Sequence, residues 1–228
     1  MENPDQIVPL TNHLSQFVSD HKKDFMERVL QHRTRYVTMV MEDIYQSHNA
    51  SAVMRTCECL GLQDIHLIES ANTWGTNKKV LKGSDKWLNI IRYRRKNHNN
   101  AEECFNGLRS RGYRIAVTDP SPDGVSIEDL SLDQPLAIVM GNEKDGTSPY
   151  AIDHADVKVH IPMVGFTESM NISVSAAICM NSVLTRLRES DIAWHLPDHE
   201  RALLRLQWYK NAVNRSELIE REFLRSIQ

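Results

Sequence analysis

The chain has 228 residues, 41% of them hydrophobic and 25% charged, so it can bury roughly 70% of its unfolded surface, which excludes a wholly disordered protein. Its apolar runs are strand-sized and its first residues lack a basic stretch followed by an apolar one, so it reads as cytoplasmic, with neither a membrane span nor a secretory signal. The net charge of -3 does not by itself announce a nucleic-acid binder.

Residues 12–33 are polar, with Leu14, Phe17, Val18, Phe25 and Val29 at spacings that suit one or two surface helices. From Tyr36 the pattern changes to short β-rich runs at 36–41, 64–68, 90–94, 113–117, 136–140 and 157–161, which predict six strands. The stretches 49–60 and 99–111 are long enough for crossover helices, and 136–140 is apolar throughout, as a strand buried on both faces should be. These features predict an α/β fold, a mostly parallel six-stranded sheet with helices on both faces. A long helix is expected from near Ser169 or Asn171 to near Glu189, with Ile172, Ala176, Met180, Val183 and Leu187 on one face. Pro197 opens a further helical segment carrying Leu203, Leu204, Leu206, Trp208 and Tyr209, and later Leu218, Ile219, Phe223 and Leu224. The chain thus divides into an N-terminal helical extension (1–35), a central domain (36–190) and a C-terminal helical extension (191–228).

In parallel α/β sheets ligands bind outside the carboxyl ends of the strands. Three loops there carry unusual residues. After the first strand, Asn49 stands where a helix N-cap belongs, Arg55 follows six residues later, and Gly61 closes the helix. After the most apolar strand comes Gly141-Asn142-Glu143-Lys144-Asp145-Gly146, in which the glycines permit close backbone approach; an ordinary turn has the same composition. The third segment places Ser169 and Asn171 at a helix N-terminus, where free N–H groups favour polar or anionic ligand groups, although a plain cap would look similar. There is no G-x-G-x-x-G after a strand, Walker loop, H-E-x-x-H or G-x-S-x-G. Cys57, Cys59, Cys104 and Cys179 form no C-x-x-C and no zinc-like pairing with histidine, so they are expected to be reduced and structural. Residues 78–114 hold eleven Lys/Arg against three Asp/Glu, a local excess that suits either a solvated basic face or RNA contact.

Taken in order, the three motifs resemble those of the SPOUT methyltransferases, α/β proteins whose C-terminal part is tied in a trefoil knot. The resemblance covers about residues 36–188. Within that superfamily the chain is similar to the tRNA guanosine-18 ribose 2'-O-methyltransferases, through Val40-Met41-Glu42, His48-Asn49, Arg55-Thr56 and the 83–87 stretch. It departs mildly: Met170 stands where leucine is common, and Ser175 lies in a run that is often Val-Ala.

The resemblance implies that S-adenosylmethionine is held by backbone near Thr118, Gly141, Ile161 and Met170, with no metal required. It implies that Arg55 activates the ribose 2'-hydroxyl, as a base assisted by an RNA phosphate or through electrostatics alone, since free arginine is a very poor base. Asn49, Glu143, Ser169 and Asn171 would orient Arg55, donor and ribose. It further implies a homodimer through the knot, which the small-residue helix from Ser173 suits, and a tRNA substrate. Lys22, Lys23, Arg28, Arg33, Arg35 and Lys82 are then candidate RNA contacts. Three rivals stand beside this reading: ribose methylation of ribosomal RNA, a knotted RNA-binding protein without catalysis, and a small-molecule α/β enzyme. The second predicts damaged motif residues, which are intact here, and the third leaves the basic stretch unexplained.

Overall fold

The computed structural model describes residues 4–72, 75, 77–121 and 123–226. The chain folds as two compact units, Met1–Arg33 with His195–Gln228, and Thr34–Trp194. In chain order the elements are α1 (Pro4–Ser15), α2 (Asp20–Gln31), β1 (Val37–Glu42), α3 (Ser47–Cys59), β2 (Asp64–Ile68), α4 (Lys78–Leu81), β3 (Asn89–Tyr93) and α5 (Asn100–Arg109). They continue with β4 (Arg114–Thr118), β5 (Val125–Ser126), β6 (Leu136–Met140), α6 (Pro149–Asp153), β7 (Val157–His160), α7 (Ile172–Glu189), α8 (Asp198–Ala212) and α9 (Ser216–Ser226).

The larger unit is a parallel sheet in the order β3-β2-β1-β6-β4-β7-β5. Every residue of β1 and β6 is buried, which explains why their sequences are apolar on both faces. Successive side chains feed opposite cores. Met39, Met41 and Ile138 meet Val53 and Met54 of α3 and Met180 and Val183 of α7, while Val40 and Val139 meet Phe105 and Leu108 of α5. Phe105 is wholly buried, and truncating it to alanine should cost about 3–5 kcal/mol.

The sheet has seven strands where the sequence predicts six. The additional one, β5, is two residues long and pairs with β7 through Val125 and Ser126, too short to show periodicity. Gly124 makes this approach possible, because a Cβ there would lie 2.6 Å from the Lys158 carbonyl oxygen.

Two helix ends carry the site. Gly61 takes φ 92° just beyond α3, as expected of a residue closing a helix. The expected cap at Asn49 is corrected: Gln46 is the N-cap and Asn49 lies in the first turn of α3, its amide engaged across the site. Asn171 caps α7, its Oδ1 accepting from the Ser173 N–H at 2.9 Å. The chain leaves β7 beyond β4, yet α7 packs against α3, which follows β1. Segment 161–171 must therefore return past the carboxyl ends of β4 and β6, the part of the chain where the C-terminal trefoil knot is expected.

A second buried polar group occupies the amino ends of β2 and β3. Asp64 accepts from Arg35 Nε at 3.1 Å and from Asn89 Nδ2 at 2.9 Å. His66 Nε2 lies 3.3 Å from Arg111 and its Nδ1 3.0 Å from the Tyr93 hydroxyl. Arginine can only donate, so the His66 proton resides on Nδ1 and is given to Tyr93. Burial pushes the His66 pKa down to about 4, with the Arg111 charge adding to the effect.

In the terminal unit α1 packs on α8 and α9, and α2 on α8, so the two helical extensions fold together. Arg205 grips Glu27 through two bonds of 2.5 and 2.8 Å. Arg33 is 1% exposed and lies 5.3 Å over the Trp208 ring, which corrects its expected place among phosphate contacts: it is a core residue of this unit. No helix among the described residues is long and apolar enough to cross a membrane.

Candidate active site

The carboxyl ends of β4, β6 and β7 and the entry to α7 enclose a cavity of about 660 Å³, a size typical of small-molecule sites, roughly 300–1,000 Å³. Thr118, Gly141, Ile161 and Met170, the four positions expected to hold a methyl donor, all line it. So do Asn49, Glu143, Ser169 and Asn171. Gly141 cannot be another residue in this geometry, since a Cβ would stand 2.1 Å from the Gly146 carbonyl carbon and the Thr147 nitrogen. The 141–147 loop is braced from within: Asn142 and Gly146 exchange backbone bonds of 2.9 and 3.1 Å, and Asn142 Oδ1 accepts from the N–H groups of Lys144 and Asp145.

One wall of the cavity is a directed hydrogen-bond chain. Glu143 accepts from Asn49 Nδ2 at 2.7 Å and from the Tyr45 and Gln46 N–H groups at 2.9 and 3.3 Å. Asn49 Oδ1 then accepts from Asn171 Nδ2 at 3.2 Å. Asn171 Oδ1 in turn accepts from the Ser173 N–H and from its hydroxyl, at 2.9 and 2.6 Å. A carboxylate only accepts and a backbone N–H only donates, so both ends of the chain fix the orientation of both amides. Burial works against the Glu143 charge, but the bonds from Asn49, Tyr45 and Gln46 outweigh it and hold its pKa below the usual carboxylate value. Ser169 lines the cavity, and its hydroxyl makes no bond to another described residue.

Arg55 is not part of this wall. It opens with Ala52, Thr56, Ala177, Ile178 and Asn181 onto a separate surface hollow formed by α3 and α7. Val174 and Ile178 are exposed on the same side of α7.

The sequence reading did not single out His160, Asp119 or Met163, which also line the cavity. His160 lines the cavity, and its Nδ1 is buried without a hydrogen-bond partner among the described residues. Its neighbours suit an adenosine-type donor: backbone that can approach closely at Gly141, apolar Ile161 and Met163 for a flat ring, and polar atoms at the rim. Of the candidate RNA contacts, Arg28 and Lys82 are exposed, Lys22 and Lys23 half-buried with Lys23 paired to Asp20 at 2.8 Å, and Arg35 is held by Asp64.

A parallel sheet with a ligand cavity beyond the carboxyl ends of its strands places the chain among the α/β ligand-binding folds. Residues 36–181 match the SpoU rRNA Methylase family, and the chain belongs to that family. It is 43% identical over 216 residues, 95% of this chain and 97% of the relative, to a tRNA (guanosine(18)-2'-O)-methyltransferase of Borreliella burgdorferi. The crystal structure of the A. aeolicus TrmH/SpoU tRNA modifying enzyme superposes with a TM-score of 0.74 at 25% identity, covering 85% of this chain and 98% of that one. The fold also matches the SpoU methyltransferase AviRb of Streptomyces viridochromogenes, solved in complex with the cofactor AdoMet, with a TM-score of 0.59 at 21% identity over 72% of this chain and 62% of that one.

Proposed function

We propose that the chain methylates the ribose 2'-oxygen of guanosine 18 in tRNA, with S-adenosylmethionine as donor. The observation that carries this reading is the joining of Glu143, Asn49 and Asn171 into one oriented wall of a cavity lined by Gly141, Ile161 and Met170. The relatives' named activity supports the choice of nucleoside. The methyl passes from sulfonium sulfur to the ribose oxygen, leaving a thioether, while the hydroxyl proton departs to a base or to water. The protein's residues orient the reactants: the amide chain fixes Asn171 beside the cavity, and Ser169 offers a hydroxyl to the ribose. The setting is cytoplasmic, where such RNA is found.

The activating cation comes from a second copy of the chain. Arg55 lies outside its own cavity on a face where Ala177, Ile178 and Val174 are unfilled, a surface suited to an isologous dimer through α3 and α7. In such a dimer the Arg55 of one protomer serves the cavity of the other. RNA contacts fall to Lys22, Lys23 and Arg28 on α2, where the Arg28 guanidinium lies 5.7 Å over the exposed Phe25 ring, and to Lys82. The central domain and its helical extensions would accordingly divide the work between chemistry and RNA capture.

The test is incubation with labelled S-adenosylmethionine and unmodified tRNA or ribosomal RNA, followed by digestion to nucleosides. 2'-O-methylguanosine from position 18 of tRNA is expected. Label on ribosomal RNA ribose would favour the activity in the family's description, and label on a base, or none, would defeat the reading.

A further inference from the structure

The apolar residues of segment 161–171 fall into two sets. Ile161, Met163 and Met170 line the cavity, whereas Val164 and Phe166 stand fully in solvent at 105% and 109% relative exposure. They are the most exposed large hydrophobic residues among those described. Phe166 makes no ring–ring or cation–π contact with a described residue, and residues 162–170 make no hydrogen bond to one. The segment is held at its ends by β7 and by the Asn171 cap.

An unshielded aromatic ring is unfavourable in water and calls for an occupant. Glu168 and Met163, on either side of Phe166, line the cavity, so the ring lies within a few residues of where the ribose must sit to receive the methyl group. The oriented amides and Ser169 supply contacts to a ribose or a donor. They leave the attached base unheld. Bases that proteins take from RNA are commonly gripped by stacking on an aromatic side chain. Protein–protein contact is the other use of such a ring, but the apolar face on α7, at Val174 and Ile178, lies on a regular helix and borders Arg55, whereas Phe166 sits in the chain between the cavity-lining residues Met163 and Glu168.

We propose that Phe166 is a positioning residue, the platform on which the base of the nucleoside being methylated stacks, with Val164 at its flank. This rests on the ribose-methylation reading above. Base–aromatic stacking contributes about 1–3 kcal/mol per base, so its loss is expected to raise KM for RNA about tenfold while leaving donor affinity unchanged.

The test measures steady-state methylation, calorimetric donor binding and sedimentation for wild type, Phe166→Ala, Phe166→Leu and Phe166→Trp, together with fluorescence of tRNA carrying 2-aminopurine at the target position. The Ala and Leu variants should show a raised KM for tRNA with little change in kcat, the Trp variant near-normal KM, and only the aromatic forms should quench the probe. A Leu variant equal to wild type in KM and quenching would overturn the proposal, as would a change of oligomeric state in the Ala variant, which would assign Phe166 to a subunit contact. Wild-type protein that methylates no RNA would instead defeat the underlying reading, so the two failures are distinguishable.

Discussion

The two ends of α3 make opposite use of polar residues. At its start Asn49 is buried, bonded on both sides and fixed by a carboxylate; near its end Arg55 faces a hollow bordered by Ala177 and Ile178. The first arrangement is complete within one chain and the second is not. A helix turns about 600° over six residues and advances about 9 Å, so these two side chains diverge by about a third of a turn and line different hollows. On the proposed dimer, what looks in the sequence like one motif is two half-sites.

This contrast can be broken from either side. Arg55→Ala should lower kcat about a thousandfold, within the usual range for removing an activating group, and leave donor affinity intact; calorimetry beside turnover measures both. Asn49→Ala should cost about a hundredfold and also disturb Asn171, because it cuts the chain in the middle. The exposed face can be probed through Ile178→Asp, which is expected to shift sedimentation toward monomer and to lower activity about tenfold or more at dilute concentration, with the amides unaffected.

Much of this was legible in the sequence. The apolar run 136–140 announced a central strand, and Asn171 followed by periodic apolar residues announced a capped helix, because burial and capping leave local signatures. The four donor positions, implied by the resemblance, line the cavity: Thr118, Gly141 and Ile161 at strand ends and Met170 beside the α7 cap. The short β5, the orphan His160 and the burial of Arg33 against Trp208 left no such mark, since each depends on a partner distant in the chain. Arg55 stands out in the sequence, but only its helical phase separates it from Asn49.

Two smaller effects sharpen the contrast between the cavity and the opposite end of the sheet. His66 is neutral when folded and has its pKa pushed down to about 4 from 6.5, so the unfolded chain binds a proton that the folded chain refuses. Stability on this account is present above pH 6.5 and declines as pH falls toward 4, by on the order of 3 kcal/mol, and urea denaturation should show a steeper slope between pH 6.5 and 4.5 in wild type than in His66→Gln. The Glu143 carboxylate acts in the same direction but lower, its contribution lost only as pH falls below the ordinary value of 4.5. Lys82→Ala should weaken RNA binding only a few-fold and reduce the salt slope by about one, read from affinities across salt concentrations.

The most direct test of the two-half-site account is to mix Arg55→Ala protein with an Asn49→Ala, Asn171→Ala double variant, each inactive alone, and allow subunits to exchange. If the Arg55 of one protomer serves the cavity of the other, random mixed dimers regain one working site each and methylation returns to about a quarter of the wild-type level. Mixtures that form dimers and stay inactive would show that Arg55 acts within its own chain, contradicting the account.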